Sequence, residues 1–298
     1  MTPSPGAASD APSHPTLPAT LRLGPVHLTV TDLARSVAFY EEGIGLRQHG
    51  SEPGLAMLGA GEEDLVLLFE ESFARPSGHH AGLYHFALLH PSRLELARAA
   101  QRLGVRRIPI SGASGHGISE AIYLSDPDGN GIELAADRSR KHWGDLRDPA
   151  TIGPAPLDMD DLLELLADHP GRPYADPRLT VGHLHLHVGG IDAALGFYRD
   201  VLGFEVMTLL DSAAFVSAGG YHHHLGFNTW RGEDLPAAPS GAVGLREWTV
   251  VLEEESQVEE VRRRVRLAFI EPEEGPTGML VRDPWGIAVR FTATTLML

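Results

Sequence analysis

The chain has 298 residues, a formal charge of −16 at pH 7, 43% hydrophobic and 21% charged residues, and no cysteine. The length fits two domains, each with enough apolar material for a core. Such an acidic chain lacks the basic face that a phosphate backbone or an anionic membrane surface requires. The missing thiols exclude disulfides, thiolate metal sites and a cysteine nucleophile.

Residues 1–20 are rich in Pro, Ser and Ala, with no basic stretch leading into an apolar one, so a disordered tail is expected and not a signal peptide. No apolar run reaches the length of a membrane span, and with the absent cysteines this fits a cytoplasmic protein. Gly24-Pro25-Val26-His27-Leu28-Thr29-Val30 reads as a strand. A helical segment carrying Phe39-Tyr40 follows, with Gly43-Ile44-Gly45-Leu46 after it, and Leu65–Phe69 reads as a further strand. Leu83–Leu89 is another apolar, strand-like run. Leu94–Leu103 has helical spacing, with Gly104 as its C-cap. Ile122–Leu124 and Ile132–Leu134 flank Asp126-Pro127-Asp128-Gly129, which predicts a hairpin. With a loop from Asp126 to Asn130, Ser125 faces Gly131 and Tyr123 faces Glu133. Directly paired residues share a face of the sheet, so the phenol would sit beside the carboxylate.

Residues 138–178 join the two halves, with a helix predicted over Met159–Ala167. Gly182-His183-Leu184-His185-Leu186-His187-Val188 then repeats the first strand. Phe197-Tyr198 and Val201-Leu202-Gly203-Phe204 repeat the helix and the segment after it. Leu245–Leu252 is a strand, Val258–Val265 a helix, and Asp283-Pro284-Trp285-Gly286 the last turn. His27 to His185 and Tyr40 to Tyr198 share one offset of 158 residues. A register held over both a strand and a helix marks a duplication. The histidine count of 16 is high, and the runs His79-His80 and His222-His223-His224 invite a test for metal.

Four strand–helix–strands units, with His on first strands and Glu after an Asp-Pro-x-Gly-Asn turn, resemble the vicinal oxygen chelate superfamily. That superfamily includes glyoxalases, bleomycin resistance proteins and extradiol dioxygenases. The likeness spans roughly residues 21–137 and 179–294 and is nearest to two-domain catechol 2,3-dioxygenase-like proteins. It implies an α+β fold of four βαβββ modules paired into two glyoxalase-like domains, residues 21–137 and 179–298. In such a fold two modules curve into one cup, which would bring His27, His85 and Glu133 together as metal ligands in the N-terminal half. Two imidazoles and one carboxylate leave open coordination positions and suit Fe(II), with Mn(II) as the alternative.

The stretch His116 to Glu133 also resembles the extradiol dioxygenase signature, in His116, Ile122-Tyr123, Asp126-Pro127-x-Gly129 and Glu133. Ser114 departs from the pattern, which has Gly or a similar residue there. The resemblance implies ring cleavage of a small aromatic diol by O2, as in aromatic hydrocarbon catabolism. Tyr123 and His116 would orient and protonate intermediates, and His80, or its neighbour His79, would be the local acid–base histidine. No nucleic acid or membrane partner is expected, and a homo-oligomer is compatible with the family. The rival readings are a glyoxalase-like lyase or isomerase and a drug-sequestering binding protein. Leu65–Phe69 offers no fourth ligand of the glyoxalase kind.

In the C-terminal half His185 stands where His27 does, Glu247 where His85 does, Arg290 where Glu133 does, and Leu280 where Tyr123 does. The expectation is an Arg290–Glu247 ion pair and no metal. A second metal on His185, His224 and Glu247 is the alternative.

Overall fold

The computed structural model describes residues 16–148, 153 and 155–294. The predicted tail therefore falls mostly outside the described residues. The first module is β1 (Arg22–Val30), helix α1 (Leu33–Phe39) running into a π-helical turn (Tyr40–Ile44), β2 (Arg47–Glu52), β3 (Leu55–Gly59) and β4 (Asp64–Glu70). The second is β5 (Gly82–His90), α2 (Arg93–Arg106), β6 (Gly112–Gly115), β7 (Ser119–Ser125) and β8 (Gly131–Asp137). A connector with the short helix α3 (Met159–Glu164) leads to the third module. This comprises β9 (Thr180–His187), α4 (Ile191–Leu195) with a π-helical turn (Gly196–Val201), β10 (Glu205–Leu210), β11 (Ala213–Ser217) and β12 (Leu225–Asn228). The fourth is β13 (Gly244–Leu252), α5 (Glu255–Leu267), β14 (Glu273–Gly275), β15 (Gly278–Arg282) and β16 (Ala288–Ala293). No described helix is long and apolar enough to cross a membrane.

Local chemistry sets these boundaries. The Asp32 side chain caps α1 by accepting from the Arg35 amide at 2.9 Å, and Ser92 caps α2 by accepting from Glu95 at 3.4 Å. Gly45 (φ 89°) and Gly203 (φ 95°) end the paired π-helical segments in the left-handed region, where a Cβ is strained. Helix α2 passes Gly104, the expected cap, because Arg107 takes the left-handed cap (φ 54°) three residues later. Helix α3 ends at Glu164, short of the predicted Ala167.

The strands form two eight-stranded sheets, ordered β14-β15-β16-β13-β1-β4-β3-β2 and β10-β11-β12-β9-β5-β8-β7-β6. The first joins modules one and four through β1 and β13. The second joins modules two and three through β5 and β9. Contiguity predicts that each half, 21–137 and 179–298, closes its own cup; in the structure each sheet takes one module from each half. The contiguous modules are tied instead through their helices. Tyr40 donates to Asp126 at 3.2 Å, Arg102 donates to the Ile44 carbonyl at 2.8 Å, and Thr31 and Arg35 reach Asp128 at 2.5 and 2.7 Å. The second half repeats this with Tyr198 on Asp283 (2.9 Å) and Arg264 on the Leu202 carbonyl (2.9 Å).

Candidate metal centre and cavity

Alternation along a strand sends successive side chains to opposite faces. On β5 and β8 it buries Phe86, Leu88, Ile132 and Leu134 in the core. His85 and Glu133 are thereby turned to the inner face of the curved second sheet. Antiparallel β9 lies beside β5 with His85 opposite His185 and Ala87 opposite His183. The result is a buried group of three ligand-type residues, His85, Glu133 and His183, whose ligand atoms lie within 4.8 Å of one another. Glu133 Oε2 sits 3.0 Å from His85 Nε2 and 3.2 Å from His183 Nε2.

The electrostatics suit a cation. Burial opposes ionisation of Glu133, but the charge and hydrogen bonds of His183 and His85 outweigh it and hold the carboxyl well below its usual range. Burial lowers His85, which favours the neutral imidazole a metal needs. Two imidazoles and a carboxylate converging from three strands match the two-histidine, one-carboxylate donor set, and thus fit a divalent ion.

The hairpin has the predicted register. Ser125 pairs with Gly131 and Tyr123 with Glu133. The Asp126 carboxylate holds the turn by accepting from the Asp128 amide (2.9 Å), the Asn130 amide (2.8 Å) and Asn130 Nδ2 (2.8 Å). Burial and Glu133 push the Tyr123 hydroxyl far up, so it stays a proton donor. His116 Nε2 lies 3.4 Å from that hydroxyl. Tyr123, His116 and the three ligand-type residues line a cavity of about 470 Å³ together with Phe215, Trp230, His185 and His223.

Two expected site residues fall elsewhere. His27 belongs to the first sheet, where it pairs with Glu247 (Nδ1 to Oε1, 3.3 Å) and lies against Phe69, so it cannot join His85 and Glu133. His80 sits in the loop before β5, with Nδ1 on the Ser77 carbonyl, and does not line the cavity. The residues the sequence reading missed are His183 and His223. The signal for His183 was present: His183, His185 and His187 alternate and face one way. The match to His27 singled out His185, whose Nε2 instead meets Asn228 Nδ2 at 2.9 Å. His223 was marked only as part of a histidine run.

The second-metal alternative is also undone, because its residues are dispersed. Glu247 lies on the first sheet and binds Arg290 through both oxygens, at 2.7 and 3.0 Å. His224 turns to Ser217 Oγ at 2.9 Å. Among the described residues, the cup of the first sheet thus holds the expected ion pair at the positions equivalent to His85 and Glu133.

The family model described as Glyoxalase/Bleomycin resistance protein/Dioxygenase superfamily matches residues 22–134 and 180–291. A curated relative, catechol-2,3-dioxygenase of Bacillus subtilis (strain 168), is 41% identical over 269 residues, 88% of this chain and 93% of that protein. A solved structure from Bacillus subtilis subsp. subtilis str. 168, described as a candidate dioxygenase, superposes with a TM-score of 0.65 at 13% identity, covering 94% of this chain and 86% of that one. Glyoxalase I from Zea mays superposes with a TM-score of 0.58 at 17% identity, covering 93% and 94%. At such identities these two structures speak for the fold alone.

Proposed function

From the premise that the chain belongs to the Glyoxalase/Bleomycin resistance protein/Dioxygenase superfamily, we propose that it is an extradiol dioxygenase that opens a catechol-like ring with O2. His85, His183 and Glu133 would hold Fe(II), with Mn(II) as the alternative ion. The observation that carries the reading is the meeting of those three ligands with Tyr123 and His223 inside one cavity. The name of the 41% identical relative agrees with it.

A bound ion would supply the Lewis acidity and the electron relay between diol and dioxygen that ring opening requires. The chain's own residues do the rest. Phe215 and Trp230 offer aromatic surface for a planar ring. Tyr123, kept protonated, donates a hydrogen bond where charge gathers on a substrate oxygen, and His116 braces its hydroxyl. His223, whose ring centroid lies 4.2 Å from that of His183, is placed to take a proton from a diol hydroxyl.

The glyoxalase reading needs a fourth protein ligand from the last strand of the module that completes the cup. In this structure that strand is β12, Leu225-Gly226-Phe227-Asn228, with no carboxylate or imidazole, and Asn228 is engaged by His185 and His187. The deciding experiment is anaerobic metal loading followed by an oxygen-electrode assay over a panel of catechols. Oxygen uptake with a yellow ring-opened product is expected. Isomerisation of a hemithioacetal without oxygen uptake would replace this reading with the glyoxalase one.

A further inference from the structure

From the cavity wall, which His222 and His223 both line, a chain of polar groups leads away from His223. His223 Nδ1 lies 2.8 Å from His222 Nδ1, and His222 Nε2 lies 3.0 Å from Asp137 Oδ1. The other carboxylate oxygen, Oδ2, accepts from the Tyr221 hydroxyl at 2.9 Å. His222 is only 3% exposed. Trp143 packs against it with ring centroids 5.2 Å apart, and Arg140 lies over Trp143 at 5.3 Å. Among the described residues, none of this is hydrogen-bonded to the three ligand-type residues, and the first sheet has no counterpart of the triple histidine. Such a buried polar network demands a reason, because each unsatisfied member would be costly.

The geometry points to Asp137 and His222 as positioning residues that fix the tautomer of His223, an inference that rests on the dioxygenase reading for its catalytic meaning. A carboxylate only accepts, so the proton of neutral His222 must sit on Nε2. His222 Nδ1 is then bare and can only accept. The hydrogen bond between the two Nδ1 atoms therefore requires the proton of His223 to sit on its own Nδ1. What remains is His223 Nε2, unprotonated, on a ring that lines the cavity. That bare nitrogen can accept a hydrogen bond from a substrate hydroxyl in the cavity. Imidazole orientation by a carboxylate acts in this way wherever a histidine must serve as base in one tautomer.

The test uses the full chain with 15N-labelled histidine, loaded with diamagnetic Zn(II), and reads tautomers from nitrogen chemical shifts. In the wild type His223 should carry its proton on Nδ1 and His222 on Nε2. Asp137→Asn places an amide donor opposite His222 Nε2, because Tyr221 keeps the carbonyl side, and both tautomers should flip. In the Fe(II) enzyme the same variant should lower kcat about a hundredfold with KM and metal content unchanged. It should cause no further loss in a His223→Phe background, and Asp137→Glu should recover part of the rate. A wild-type His223 protonated on Nε2, or tautomers unmoved by Asp137→Asn, would overturn the inference. The stated tautomers in a protein that consumes no oxygen would leave the tautomer assignment standing and remove the dioxygenase reading.

Discussion

At the scale of single residues, Glu133 is the pivot, since it alone touches both imidazoles of the group. Replacing a group that merely supports a metal ligand weakens binding by about 10–100-fold. Loss of a ligand itself should exceed that, so Glu133→Gln and His183→Ala should lower metal affinity more than about a hundredfold. His27→Ala should leave metal content unchanged, because His27 belongs to the other sheet. Titration with Fe(II) under argon, followed by metal analysis, checks all three, and a metal-free His27→Ala protein would restore the ligand set expected from sequence. Tyr123→Phe removes a donor aimed at developing charge. It should reduce kcat by roughly a hundredfold or more while metal content holds, and an unchanged rate would assign Tyr123 to packing. Much of this site was legible in the sequence. The placing of Tyr123 opposite Glu133 follows from one hairpin and its spacing, while His85, His116 and the ligand role of Glu133 rest on the family resemblance. His183 was not, because three histidines at period two present the same face, and nothing local ranks them.

At the scale of elements, the hairpin was the most readable feature, since turn chemistry fixes loop length and loop length fixes register. Its Asp also receives the buried Tyr40 hydroxyl, and the fourth module repeats the arrangement with Tyr198 and Asp283. Tyr198→Phe deletes a buried donor to a carboxyl group and should cost about 1–3 kcal/mol in urea denaturation. Burial pushes Asp283 up to about 6, against the lowering effects of the Ile287 and Trp285 amides and of Tyr198. A carboxyl raised in the fold contributes stability that is complete below its unfolded value and fades as pH climbs through about 6. The stability of the wild type relative to Asp283→Asn should therefore improve on going from pH 7.5 to 5. A pH-independent difference between the two proteins would contradict the raised value.

At the scale of the molecule, the duplication was legible and the pairing of its copies was not. Alternation reveals which face of a strand is buried but not which strand lies alongside. Contiguity favoured modules one and two as strand partners. The helices honour that expectation through Tyr40, Arg102 and Asp128, while the strands pair one with four and two with three. The proposed metal ligands consequently come from both halves, His85 and Glu133 from one and His183 from the other. Two separately encoded chains, residues 1–148 and 153–298, should copurify when coexpressed and bind one divalent ion per pair. Neither alone should bind it tightly. A metal-loaded N-terminal chain on its own, detected by mass spectrometry under native conditions, would refute the shared site.

The partnership of β1 with β13 also dictates a timetable. Arg22–Val30 leaves the ribosome long before its second neighbour, Gly244–Leu252. At about 5–20 residues per second, roughly ten seconds or more separate the two. Throughout that interval one side of β1 presents unsatisfied amides and carbonyls, an open template for the wrong chain. β5 waits in the same way, more briefly, for β9. The second sheet can close once the third module is made, whereas the first waits for the fourth, and until each partner arrives the task of holding those two edges apart from other nascent chains falls to the cell.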